Sequence, residues 1–78
     1  MWQEKNNMLI FNKEFKSFEK AIVFINKVAN IAKRHNHHPQ IHNTYNKVKL
    51  QLTTHDAGNT ITEKDKKLAA EIEKIFNP

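Results

Sequence analysis

Over residues 47–53 polar and apolar side chains alternate without a break. Val48, Leu50 and Leu52 fall on one side, and Lys47, Lys49, Gln51 and Thr53 on the other. Side chains of a β-strand repeat every two residues, so this stretch has one buried face and one wet face. Antiparallel sheets are built this way, whereas strands of a parallel sheet are covered on both sides and read as continuous apolar runs. The rest of the chain must therefore supply partner strands and a single apolar layer to cover them.

Trp2–Lys5 and residues 8–15 supply the strands. In the second, Leu9, Phe11, Lys13 and Phe15 share one side, with Met8, Ile10, Asn12 and Glu14 on the other. Asn6-Asn7 between them suits a two-residue hairpin turn, because asparagine tolerates positive φ. Residues 41–45 read as an extended approach to the alternating strand, or as a short extra strand. The covering layer comes from two helices. Ser17 is placed as an N-cap, and Glu19 faces the positive end of the helix dipole. Phe18, Ala21, Ile22, Ile25, Val28, Ala29 and Ala32 then recur at helical intervals, with Val23, Phe24 and Ile31 widening the face. Lys33-Arg34-His35 suit the negative end of this helix, and Pro39 forces its termination by disfavouring helix at His38. Residues 56–59 read as a loop. Thr62 with Asp65 three residues on is a capping-box pattern, opening a helix whose apolar face is Leu68, Ala69, Ile72, Ile75 and Phe76. The expected fold is α+β. It is a two-layer α/β sandwich in which an antiparallel sheet of three to four strands carries two helices on one face, forming a single domain over residues 1–78.

Composition removes several classes of function. The absence of cysteine rules out disulfides, a thiolate nucleophile and a thiolate zinc site. With Gly58 as the one glycine there is neither a phosphate-cradling loop nor a Gly-x-Ser-x-Gly elbow. The longest apolar run, residues 21–25, is far short of the roughly 20 residues that span a membrane. The start Met1-Trp2-Gln3-Glu4-Lys5 lacks the basic head and apolar stretch of a signal peptide. Together these features describe a soluble, intracellular domain. The 13 Lys and Arg exceed the 8 Asp and Glu, but the two signs are interspersed along the chain. A solvated basic surface explains that pattern better than a nucleic-acid partner does.

The histidines carry the chemistry. All five lie between positions 35 and 55, and histidine is the side chain that exchanges protons near neutral pH. His35-Asn36-His37-His38 lacks the i, i+4 spacing that puts two metal ligands on one helix face. His37 and His38 are adjacent, so in extended chain they point to opposite sides. No metal site is expected, and acid–base chemistry or ligand binding remains. Residues 39–46 and 47–54 are two legs of equal length, each able to reach about 26 Å. An outward leg and an equal return bring His55 back beside His37 and His38. His35 and His42 read as surface histidines.

His37-His38-Pro39, Tyr45-Asn46-Lys47-Val48 and Thr53-Thr54-His55-Asp56 resemble the pterin-4a-carbinolamine dehydratase family. Its pattern is a His-His-Pro, an aromatic residue six positions on, a histidine ten beyond that, and an aspartate at the head of the last helix, here Asp65. Thr62-Glu63-Lys64-Asp65 followed by Leu68-Ala69 is also similar to the family. The resemblance implies dehydration of a 4a-hydroxytetrahydropterin to quinonoid dihydropterin, in recycling of the pterin used by aromatic amino-acid hydroxylases. It implies His37 and His55 as the acid–base pair and His38 as a residue that contacts or orients the pterin. Pro39, Tyr45, Thr54, Asp56 and Asp65 would complete the substrate-binding set. The pterin would be substrate, with no cofactor and no metal. A cytoplasmic homodimer or homotetramer would act on it, without nucleic-acid or membrane partners. The alternative is a non-catalytic dimerisation or binding module on the same fold, acting as a protein partner or transcriptional coactivator. This sequence departs from the pattern at Lys33, where many members are acidic, and at Asn36, where some carry Asp. Members also usually carry a helix ahead of the tryptophan strand, whereas this sequence begins at Met1-Trp2.

Overall fold

The computed structural model describes residues 2–75. In chain order they form β1 (Trp2–Lys5), β2 (Met8–Glu14), α1 (Phe18–His35), β3 (Gln40–Thr44), β4 (Lys47–Leu52) and α2 (Glu63–Glu73), with a 3-10 turn at His55–Ala57. Phe76, expected on the last helix, lies outside the described residues. The strands make one antiparallel sheet in the order β1-β2-β4-β3, and both helices pack on one of its faces.

The alternation in β4 decides the register. Leu9 is opposite Leu52, Phe11 opposite Leu50 and Lys13 opposite Val48, so the apolar sides of β2 and β4 coincide. Phe11, Val48, Leu50 and Leu52 are buried there with Leu68, Ala69 and Ile72 of α2. Rings continue this layer, with Phe11 5.2 Å from Trp2 and 5.8 Å from Phe24, and Phe15 5.0 Å from Phe24. The β1–β2 turn has Asn6 at φ 53° and Asn7 at φ 61°. Two left-handed residues in a row match the right-handed twist of the flanking strands.

Helix α1 begins where expected, with the Ser17 hydroxyl accepting from the Lys20 N–H at 3.1 Å. Its buried face is turned from the expected one. Ala21, Phe24, Val28, Ile31 and Ala32 are buried, whereas Phe18, Val23 and Ala29 are exposed. The apolar stripe of α1 is wider than a single sheet can cover, so packing chooses the phase. Small Ala21 and Ala32 lie on the side that meets the other elements.

Of residues 41–45, the first four resolve as part of an added strand and Tyr45 falls in the turn after it. β3 pairs with β4 from Gln40↔Gln51 to Thr44↔Lys47, and all five of its residues are exposed at the sheet edge. The β3–β4 loop is the pair Tyr45-Asn46. Tyr45 has φ 52° and is 66% exposed. The Asn43 amide steadies this loop by donating to the carbonyls of Tyr45 and Lys47 at 3.1 and 3.0 Å. Left-handed backbone costs an L-residue of this kind about 1 kcal/mol. Tyr45→Gly relieves it and is expected to raise the thermal midpoint by a few degrees, read by calorimetry.

Candidate active site

The end of α1 aims the histidine pair. Asn36 adopts φ 51° directly after the helix. Its N–H bonds the Lys33 carbonyl, and the His37 N–H bonds the Ala32 carbonyl, each at 3.2 Å. These two bonds are the Schellman arrangement, which stops a helix and turns the chain in a fixed direction. Asn36 is thus a backbone device, and His37 leaves the helix already oriented. From Gln40 the chain runs out along β3 and returns along β4, which ends at Leu52. The hairpin returns Thr53, Thr54 and His55 to the side of His37 and His38, as the equal legs allow.

There they line a cavity of about 340 Å³ together with Asn36, Asp56 and Lys64. Pro39 and Asp65 are not part of this lining, and Asp65 stands behind His37. Tyr45 is displaced from the group. It occupies the opposite tip of the β3–β4 hairpin, about five strand residues or roughly 17 Å from the histidine end, so within one chain it does not line this cavity.

Asp65 organises the interior side of the site. Its side chain is fully buried, and each oxygen is used. Oδ1 lies 2.6 Å from His37 Nε2. Oδ2 accepts from the Thr54 hydroxyl at 2.6 Å and from the Thr62 N–H at 2.8 Å. The Thr54 hydroxyl also meets that of Thr62 at 2.7 Å. The capping box expected from Thr62 and Asp65 is present, and the same carboxylate reaches His37. Burial alone pushes the Asp65 carboxyl up. The bonds from Thr54, His37 and the Thr62 N–H, with the charge of His37, outweigh it and hold the group below the usual carboxylate range. An ionised Asp65 only accepts, so His37 carries its hydrogen on Nε2 and its Nδ1 is free for other work.

His55 is held the other way round. Its Nδ1 lies 2.6 Å from Asn59 Oδ1. An amide oxygen has no hydrogen to give, so the hydrogen is on Nδ1 and Nε2 keeps a lone pair when the ring is neutral. One cavity therefore combines two imidazoles anchored through opposite nitrogens. Among the described residues no three His, Asp or Glu side chains gather as metal ligands do.

The family model described as pterin 4 alpha carbinolamine dehydratase matches residues 1–75. The chain belongs to that family. It is 46% identical over 74 residues to a protein of Trichormus variabilis named "Putative pterin-4-alpha-carbinolamine dehydratase", covering 95% of this chain and 78% of the relative. A Chloroflexus aurantiacus protein of the same name is 46% identical over 75 residues, covering 96% and 80%. Among solved structures, the Brucella melitensis protein described as a transcriptional coactivator/pterin dehydratase is similar with a TM-score of 0.86 and 34% identity. That match covers 95% of this chain and 80% of the other. A pterin dehydratase-like protein described as a RuBisCO assembly factor in the alpha-carboxysome shares the fold, with a TM-score of 0.74 at 23% identity over 95% of this chain and 84% of its own.

Within this pterin dehydratase-family chain, reading the sequence left Thr53, Lys64 and Asn59 out of the site. Lys64 does carry a signal. It is the second residue of α2, where a cation opposes the helix dipole, and such a misplaced charge invites a search for another use. Lys33, the departure from the family pattern, is exposed and does not line the cavity. His35 is not the surface residue expected. Half-buried, it donates from Nε2 to Glu71 Oε1 at 2.8 Å, while Arg34 meets the other oxygen of Glu71 at 2.5 Å. The bond from His35, against some desolvation, and the charge of Arg34 keep the Glu71 carboxyl below its ordinary range. This cluster ties the end of α1 to α2, with Glu71 between one and two helical turns beyond Asp65.

Proposed function

We propose that this chain dehydrates a 4a-hydroxytetrahydropterin to the quinonoid dihydropterin and water, recycling the pterin spent by aromatic amino-acid hydroxylases. The observation that carries the reading is the cavity in which His37, backed by Asp65, faces a space shared with His38 and His55. The reaction removes the proton from N5 of the pterin and breaks the C4a–O bond as the hydroxyl leaves with a proton. One proton is taken, one is given, and no electron is exchanged. One group must act as base and another as acid, both near neutral pH.

His55 is the base, because its Nε2 lone pair is available in the neutral ring. His37 is the acid. Protonated, it directs Nε2–H to the negative Asp65 and offers Nδ1–H to the departing hydroxyl. The exchange needs one ring to give a proton while the other takes one. His38 and Asp56 contact or orient the pterin ring, Thr54 stands in the cavity wall, and Asp65 acts from behind His37. The pterin is substrate, and the chemistry needs no further cofactor. The working form is a cytoplasmic homodimer or homotetramer.

Purified protein is expected to accelerate dehydration of the 4a-carbinolamine, followed by the appearance of the quinonoid product. A wild-type rate equal to buffer overturns this reading. A second reading has one observation in its favour, the exposure of Phe18 and Val23 on α1. On that reading the chain is a non-catalytic dimerisation or coactivator-like module. Tight co-purification with a protein partner, together with no dehydratase activity, selects it.

A further inference from the structure

We infer that Asn59 is a positioning residue that selects the tautomer of His55. The inference rests on the acid–base reading of the cavity and extends it to a residue outside the lining. The segment between β4 and α2 closes on itself. Thr54 N–H bonds the Thr60 carbonyl at 2.9 Å, and Asn59 N–H bonds the Thr54 carbonyl at 3.1 Å. Inside this loop His55 starts a 3-10 turn that ends at Gly58, whose N–H returns to the His55 carbonyl at 3.1 Å. Gly58 at φ 80° and Asn59 at φ 58° then reverse the chain. The reversal lays the Asn59 amide against His55, with Oδ1 at 2.6 Å from Nδ1.

Two explanations of an asparagine at this position make different demands. Asparagine is tolerated in left-handed backbone, and glycine would serve that purpose at least as well. The contact with His55 needs the side-chain oxygen. A neutral imidazole can act as base only at the nitrogen without a hydrogen, so the bond from Nδ1–H leaves Nε2 as the reactive atom. Without it the ring divides between two tautomers, and the share with hydrogen on Nε2 is unable to accept a proton from substrate there. Asn59 also anchors the ring through a neutral partner, whereas His37 is anchored by a carboxylate.

Asn59→Gly separates the explanations, because it keeps the left-handed backbone and removes the amide. The nitrogen chemical shifts of His55, measured by NMR above its titration, report the tautomer without any substrate. Wild type is expected to hold hydrogen on Nδ1, and Asn59→Gly is expected to lose that preference. Its kcat should fall by roughly 10-fold, with KM within about two-fold. Asn59→Asp restores an acceptor and adds a charge. It should recover the Nδ1–H tautomer and move the His55 limb of the pH–rate profile to higher pH, because a nearby carboxylate favours the charged ring. A wild-type His55 with hydrogen mainly on Nε2, or a tautomer unchanged in Asn59→Gly, overturns the inference. If the tautomer responds but His55→Ala keeps the wild-type rate, the acid–base reading fails and takes the catalytic role of Asn59 with it.

Discussion

His37→Ala and His55→Ala should each lower the rate of carbinolamine dehydration by roughly 10²-fold or more, the usual contribution of a positioned proton donor or acceptor. The two losses should not add. On the proposed mechanism each residue serves one half of a single proton exchange, so the double variant should be little worse than the weaker single one. The KM values should change less than kcat if, as proposed, both rings act on the reacting atoms rather than on the whole pterin. Steady-state kinetics on the three variants and the wild type measure this directly. Full activity in either single variant would remove that residue from the chemistry.

Asp65→Ala should reveal a structural role as large as the chemical one. The substitution strips partners from the Thr54 hydroxyl, the Thr62 N–H and His37 together, in a fully buried place. A lost N-cap arrangement is worth about 1 kcal/mol, and buried donors left unsatisfied add to it. A total of about 3 kcal/mol is expected in denaturant unfolding, a large share of the stability of so small a chain. The pH dependence has a definite sign. The carboxyl is held below its ordinary range in the folded protein, so its stabilising contribution is complete above the ordinary carboxylate pKa. That contribution fades as pH falls through the depressed folded value. Wild type should therefore lose stability in acid more steeply than Asp65→Asn, which has no proton to gain. Asp65→Asn should also lose activity, since an amide nitrogen facing His37 Nε2 favours the other tautomer of the ring.

Much of this architecture was legible in local pattern, and the exceptions have physical causes. β4 could be read because one face is buried and the other wet, which is the condition under which alternation carries information. β3 could be recognised only as extended chain, because its five exposed residues at the sheet edge have no pattern to display. On α1 the presence of a helix was plain, but its phase was not. Phe18 and Ala29 are as apolar as the residues that are buried, and only the fit against the sheet and α2 separates them. The convergence of His37, His38 and His55 was permitted by two equal legs, and the family-like His-His-Pro spacing pointed to it. The partners of these histidines did not follow. The bond between His55 and Asn59 requires two consecutive left-handed residues, and that between His35 and Glu71 requires α1 and α2 to be docked. Asp65 lay between these cases, since the capping box was visible in the sequence and its second oxygen on His37 was not.

The double use of Asp65 has an evolutionary corollary. One carboxylate both starts a helix and holds the proposed acid, so selection for a folded chain preserves part of the site whether or not the reaction matters. A descendant freed from catalysis and kept only for its shape would retain Asp65, Thr54 and Thr62, and would be free to lose His55 at the exposed loop. On the proposed mechanism, then, an intact aspartate at the head of the last helix speaks for stability, and the exposed His55 would be the residue that separates an enzyme from its scaffold.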